Sequence, residues 1–406
     1  MRRPCPPRRR AILTHAACAA LPACIPPGPL LAAPPQPDAI TLPMLACGSA
    51  FCTEYYVDDQ RFRAVIDTGS PFLLVDGSNS ACFEQRWGCY RPQSGGSGFA
   101  LGDKSTEGYG GQEIEVDWRR GSLRLAGYPS RRATTKRSEV SFRRRGARAG
   151  SWTTPDPLRD VRVEPINFGV VKSYVGRGGS GAVYLGLAKQ RQPRVRPTFL
   201  EQTPFAAMDI NFVERTLTLD RKPLLRGKDA IPMVDLRPLG APVTPYAVAV
   251  ERLVVNGRPM ALERPCVAII DTGVTGMVVS DSLYDTDELP LPGAAMRTVK
   301  VEVRTERGKV VRFEAASRRR RSEEDDADVA PAVEYFPLIV TPVTLPWFDT
   351  ERPWQQPRKQ RLRADADGEI STSQSPHVII LGLSFLSDMR LTIDADEGRL
   401  ATTRIV

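Results

Sequence analysis

The tripeptide Asp-Thr-Gly occurs twice in this 406-residue chain, each time in the same setting. The first copy is Ala64–Val65–Ile66–Asp67–Thr68–Gly69–Ser70, followed after one proline by Phe72–Leu73–Leu74–Val75. The second is Val267–Ala268–Ile269–Ile270–Asp271–Thr272–Gly273–Val274, followed by Met277–Val278–Val279. In both, a β-branched apolar run ends in a turn and resumes as another apolar run. That is the pattern of a buried strand, a tight turn and a departing strand. An Asp at such a tip is held off its own strand. The Thr hydroxyl can bond backbone of an opposing loop, and Gly lets that backbone come close. A second element is doubled as well. Val183–Tyr184–Leu185–Gly186–Leu187 and Val378–Ile379–Ile380–Leu381–Gly382–Leu383 each follow their own Asp-Thr-Gly by just over a hundred residues. Two halves with both elements in the same order point to a pseudo-twofold protein.

Composition narrows the chemistry such a chain can perform. With 41% hydrophobic residues it can bury a core. It has only two histidines, His15 and His377. Hydrolases that need an imidazole base have one candidate outside the leader described below, and paired-histidine zinc spacings are absent. Carboxylates are therefore expected to do the acid–base work, with no metal and no cofactor.

Residues 1–37 hold five arginines and no acid, then an apolar stretch Ala11–Ile25 and small residues before a proline-rich exit. This order reads as a secretory signal peptide, with an organelle transit peptide (a plastid one included) as the alternative. Secretion, or delivery to a lysosome- or vacuole-like compartment, follows from the first reading. No other apolar run is long enough to span a bilayer, so no membrane span is expected in the mature chain. The net charge of +9 resides in this leader and in a block from Arg131 to Arg148, where eight basic residues face one Glu139. The block reads as a solvated surface insertion within 128–150, with nucleic-acid binding as the alternative. A charged loop is expected at 315–330 and a further insertion at 346–375. Among the cysteines, the close pairs Cys47/Cys52 and Cys82/Cys89 could each close a small loop in an oxidising compartment. Cys266, in an apolar run, reads as a buried thiol.

From about residue 41 to the end, the sequence resembles the pepsin-like aspartic proteases. Val65–Ile66–Asp67–Thr68–Gly69–Ser70 and Asp271–Thr272–Gly273 match that family's two active-site loops. Glu54–Tyr55–Tyr56–Val57 looks like its opening strand, and Cys82/Cys89 sit where a small disulfide loop often follows. Tyr109–Gly110–Gly111 is similar to the tyrosine of its flap. The two Leu-Gly-Leu runs and Leu391–Thr392–Ile393–Asp394 are similar to its closing strands. The resemblance implies a mostly β, bilobal pepsin-like acid protease fold. Two pseudo-twofold-related, β-barrel-like lobes, 38–200 and 201–406, would flank a cleft. It further implies an aspartic endopeptidase, monomeric, that takes a polypeptide as an extended strand and prefers hydrophobic residues at the cut.

Under that reading Asp67 and Asp271 share one proton, because two carboxyls in contact do not both ionise. Thr68, Gly69, Ser70, Thr272 and Gly273 support them. Tyr109, Gly110 and Gly111 form the flap over the substrate. Three departures stand out: Val274 where the family has Ser or Thr, Leu74 where it often has Trp, and little room within 38–66 for an inhibitory propeptide. The competing expectations are a non-catalytic or weakly active relative used for binding or inhibition, and a basic surface-binding protein acting through Arg131–Arg148.

Overall fold

More than half of the described residues lie in strands, and these strands are arranged in two sheets. The computed structural model describes residues 37–77, 87–92, 99–109, 112–127, 160–175, 183–189, 196–241, 243, 245–284, 289, 298–316, 338–343 and 376–405. The leader up to residue 36, Cys82, Gly110, Gly111, the basic block, most of the 315–330 loop and the 346–375 insertion lie outside them.

The first sheet has eight strands. Its main order is Leu74–Asp76, Val161–Val175, Gln112–Leu125, Phe51–Val57, Gln60–Asp67 and Tyr184–Gly186. Leu45–Ala46 adds to Phe51–Val57, and Phe99–Tyr109 forms a long antiparallel hairpin with Gln112–Leu125. The second sheet has fourteen strands drawn from the rest of the chain. One exception crosses over: Ala39–Pro43, grouped by sequence with the first half, pairs antiparallel with Thr216–Asp220 in the second sheet.

Burial follows the sequence pattern. Thr298–Arg304 alternates half-buried and buried residues, as expected of a strand with one face on the core. Cys266–Ile270 is buried at every position, because Ala247–Val255 flanks it antiparallel, His377–Leu381 flanks it parallel, and both of its faces are covered. One apolar cluster runs from Ile40 to Leu400 and includes residues of both sheets. The segment Gln36–Val406 packs as one unit. Phe51 and Phe212 join the sheets at 5.6 Å between ring centroids, and Thr275 Oγ1 donates to the Ser49 carbonyl at 3.0 Å. No helix among the described residues is long and apolar enough to cross a membrane. Cys47 and Cys52 form a disulfide with Cα atoms 6.0 Å apart. Cys89 is also disulfide-bonded, and Cys266 is a buried free thiol.

Candidate active site

Each Asp-Thr-Gly sits at the end of a central strand, and the two strands have the same neighbours. Gln60–Asp67 lies between an antiparallel strand, Phe51–Val57, and the parallel strand Tyr184–Gly186. Cys266–Ile270 lies between antiparallel Ala247–Val255 and parallel His377–Leu381. The Leu-Gly-Leu element is thus the parallel partner of the aspartate strand in both cases. Its glycine is required by close approach. A Cβ on Gly186 would overlap backbone of Ser70, Pro71 and Phe72, and one on Gly382 would overlap backbone of Val274 and Gly276. The amides there are used in the same way: Gly186 N–H donates to the Phe72 carbonyl and Gly382 N–H to the Gly276 carbonyl, both at 2.9 Å.

The two loops meet through four reciprocal hydrogen bonds. Thr68 Oγ1 donates to the Ile270 carbonyl at 2.8 Å and accepts the Thr272 N–H at 3.0 Å. Thr272 Oγ1 donates to the Ile66 carbonyl at 2.7 Å and accepts the Thr68 N–H at 3.1 Å. Both threonines are buried, so each hydroxyl satisfies two backbone groups that have no access to water. This exchange binds residues some 204 positions apart.

It also sets the aspartates facing each other. Gly69 N–H donates to Asp67 Oδ1 and Gly273 N–H donates to Asp271 Oδ1, each at 2.8 Å. A Cβ on Gly69 would overlap the Asp271 carboxyl, and a Cβ on Gly273 would overlap that of Asp67. The two carboxyls hydrogen-bond one another. Burial raises the pKa of both. Asp271 is raised well above the ordinary carboxylate range, first by burial, then by the charge of Asp67 and the hydrogen bond with it. Asp67 is raised by burial but held back by its bond with Asp271, the Gly69 amide and Ser70. The pair therefore holds one proton between its two carboxyls, and the stronger upward push on Asp271 favours the proton on that side.

Of the expected site residues, Asp67, Thr68, Gly69, Ser70, Asp271, Thr272 and Gly273 are all brought together here. Tyr109 ends the Phe99–Tyr109 strand, its backbone opposite Gln112. Its side chain, like Gly110 and Gly111, lies outside the described residues. Tyr184 joins the site although sequence pattern does not single it out. Register places Tyr184 opposite Val65 and Gly186 opposite Asp67, so Tyr184 shares the face on which Asp67 stands. It is half-buried, and its phenol is pushed up to about 12 by burial first and then by the charges of Asp67 and Asp271. The corresponding position of the second half is Ile380, opposite Ile269. The one signal in the sequence is a tyrosine where the other repeat has an aliphatic residue. Compared with known proteins, the chain matches no family model and no curated sequence.

Proposed function

We propose that this protein is an aspartic-type endopeptidase of pepsin-like architecture, with Asp67 and Asp271 as its catalytic pair. The observation that carries the proposal is the hydrogen-bonded carboxyl pair at the meeting point of two reciprocally bonded loops. A pair of this kind, holding one proton and one charge, contains both an acid and a base at one point.

A water bound between the carboxyls would lose a proton to ionised Asp67 as its oxygen attacks the peptide carbonyl carbon. Protonated Asp271 would donate to the carbonyl oxygen, giving a neutral tetrahedral diol. Collapse breaks the C–N bond: the diol returns a proton to Asp271, and the leaving nitrogen takes the proton held on Asp67. Water has then been divided between a new carboxylic acid and a new amine, and the pair returns to its starting state. Every proton moves between groups already in contact, so no imidazole, metal or covalent intermediate enters. The Phe99–Tyr109 and Gln112–Leu125 hairpin would serve as the flap over an extended peptide, and Tyr184 would line the Asp67 side of the cleft.

The test is hydrolysis of a denatured protein across pH 3–7 by the chain without residues 1–37, beside Asp67→Asn and Asp271→Asn. Pepstatin-sensitive turnover by the wild type and none by either variant is expected. Equal turnover in the variants removes the pair from the mechanism.

A further inference from the structure

The inner face of the long hairpin carries a polar cluster that the catalytic proposal does not use. Alternation along Phe99–Tyr109 places Ser105 and Glu107 on one face, and register sets Ser105 opposite Val116 and Glu107 opposite Ile114. Ile114, Val116 and Trp118, on the same face of the return strand, are buried. Into this apolar face the chain builds a connected set of polar contacts. Trp118 Nε1–H donates to Ser105 Oγ at 2.8 Å, and the Ser105 hydroxyl donates to Glu107 Oε1 at 2.5 Å. Arg196 completes it, with its guanidinium 4.6 Å above the Trp118 ring and 3.7 Å from the Glu107 carboxylate.

The cluster reaches the Asp67 loop by two routes. The Trp118 ring meets Phe72 edge to face at 5.0 Å between centroids. Arg196 lies three residues before Phe199, which is fully buried and whose N–H donates to the Pro71 carbonyl at 2.8 Å. Pro71 and Phe72 follow directly on Asp67–Thr68–Gly69–Ser70. A closed circuit therefore links the aspartate loop, the 196–199 segment and both strands of the hairpin.

We infer that Ser105, Glu107, Trp118 and Arg196 form a clamp that ties the paired strands Phe99–Tyr109 and Gln112–Leu125 to the Asp67 loop, and so act as positioning residues for the bound peptide. This rests on the protease reading above. The backbone ladder fixes the register of the two strands, and the cluster adds directional contacts that fix how they lean on the 196–199 segment. A guanidinium laid on an indole and anchored by a carboxylate resists tilting away from that segment.

The experiment compares the full chain with Trp118→Phe, Glu107→Gln and Arg196→Met, the last keeping an apolar stem. Amide hydrogen exchange is followed at Thr106–Tyr109, and steady-state cleavage of one peptide is measured alongside. The clamp predicts exchange about tenfold faster at Thr106–Tyr109 in each variant, with Gln60–Asp67 protection unchanged. It also predicts KM raised about tenfold with kcat within about threefold, since placement of the peptide and not the proton pair is disturbed. Unchanged exchange in all three variants overturns the clamp, as does exchange that rises equally in Gln60–Asp67. A wild type that cleaves nothing overturns the protease reading instead, and the exchange comparison still decides whether the hairpin is clamped.

Discussion

After the first Asp-Thr-Gly comes Ser70; after the second comes Val274. The two loops otherwise match closely. Each aspartate accepts its own glycine amide at 2.8 Å, and each threonine bridges to the strand of the opposite loop. Backbone geometry is thus duplicated while the electrostatic setting is not. Backbone amides oppose burial at both, those of Gly69 and Ser70 at Asp67 and those of Gly273 and Val274 at Asp271, but only Asp67 also has a hydroxyl beside it, that of Ser70, which is buried and makes no hydrogen bond of its own. The fold repeats what is needed to bring two carboxyls together. The residue after the glycine then makes the surroundings of the two carboxyls unequal.

Replacing either aspartate by asparagine is the most severe perturbation of this pairing. Asp67→Asn and Asp271→Asn should each reduce kcat by about 10⁴ or more, and the double variant should be no worse than the singles. Residues that act as one unit are strongly non-additive. Independent, multiplying losses measured by single-turnover kinetics would break the pair into two separate groups.

The threonines probe what the loops share. Thr68→Val would orphan the Ile270 carbonyl and the Thr272 N–H, and Thr272→Val would orphan the Ile66 carbonyl and the Thr68 N–H. Two buried groups left unpaired should cost about 2–4 kcal/mol in each variant, measured by urea unfolding. Equal costs sustain the symmetry of the loops, and a large difference between them denies it.

Ser70 and Val274 probe where the loops differ. Val274→Ser should lower the Asp271 pKa by up to about one unit, as a hydrogen bond to the charged form would. The alkaline limb of the rate profile then moves to lower pH. Ser70→Val should raise the Asp67 pKa and move the acid limb to higher pH. Which limb moves is the readout. An acid limb moved by Val274→Ser, with the alkaline limb moved by Ser70→Val, would contradict the assignment of charge to Asp67.

A smaller effect concerns stability against pH and involves a residue away from the pair. His377 is buried, its Nδ1 3.0 Å from Ser282 Oγ, and its pKa is lowered first by burial and then by the charge of Arg264. A lowered folded-state value means the unfolded chain binds the proton more readily, so this histidine costs stability as pH falls below 6.5. Asp271 has the opposite sign. Its raised value favours the fold in acid, and that contribution is lost as pH rises through the folded pKa. Thermal unfolding of His377→Gln should therefore lose less stability between neutral pH and pH 5 than the wild type does. Asp271→Asn should gain stability at neutral pH.

Much of the site was legible because it is local. Asp67–Thr68–Gly69 and Asp271–Thr272–Gly273 each carry their turn chemistry within three residues, and the apolar runs before them announce strands. Leu185–Gly186–Leu187 and Leu381–Gly382–Leu383 were legible as a repeat, and their parallel pairing with the aspartate strands explains why the repeat exists. What escaped depends on register between distant segments. Nothing within Ala39–Pro43 tells that it pairs with Thr216–Asp220 and not with its neighbours in sequence. Tyr184 reads as one more member of an apolar run until its register places it on the Asp67 face. Trp118 and Arg196 are 78 positions apart, and no pattern in the chain foretells that one stacks on the other.

A single proton held between Asp67 and Asp271 can be detected without any substrate. Protein labelled with ¹³C at the aspartate side-chain carboxyl would be titrated by NMR from pH 3 to 8, beside Asp67→Asn and Asp271→Asn. The expected result is one carboxyl that stays protonated well above the ordinary aspartate range of about 4. In either single variant the one remaining carboxyl should titrate in a single step at lower pH than that group, because the neighbouring charge is gone while burial still raises it. Two resonances that both titrate near the ordinary value of about 4 in the wild type, unaffected by loss of the partner, would be incompatible with a shared proton.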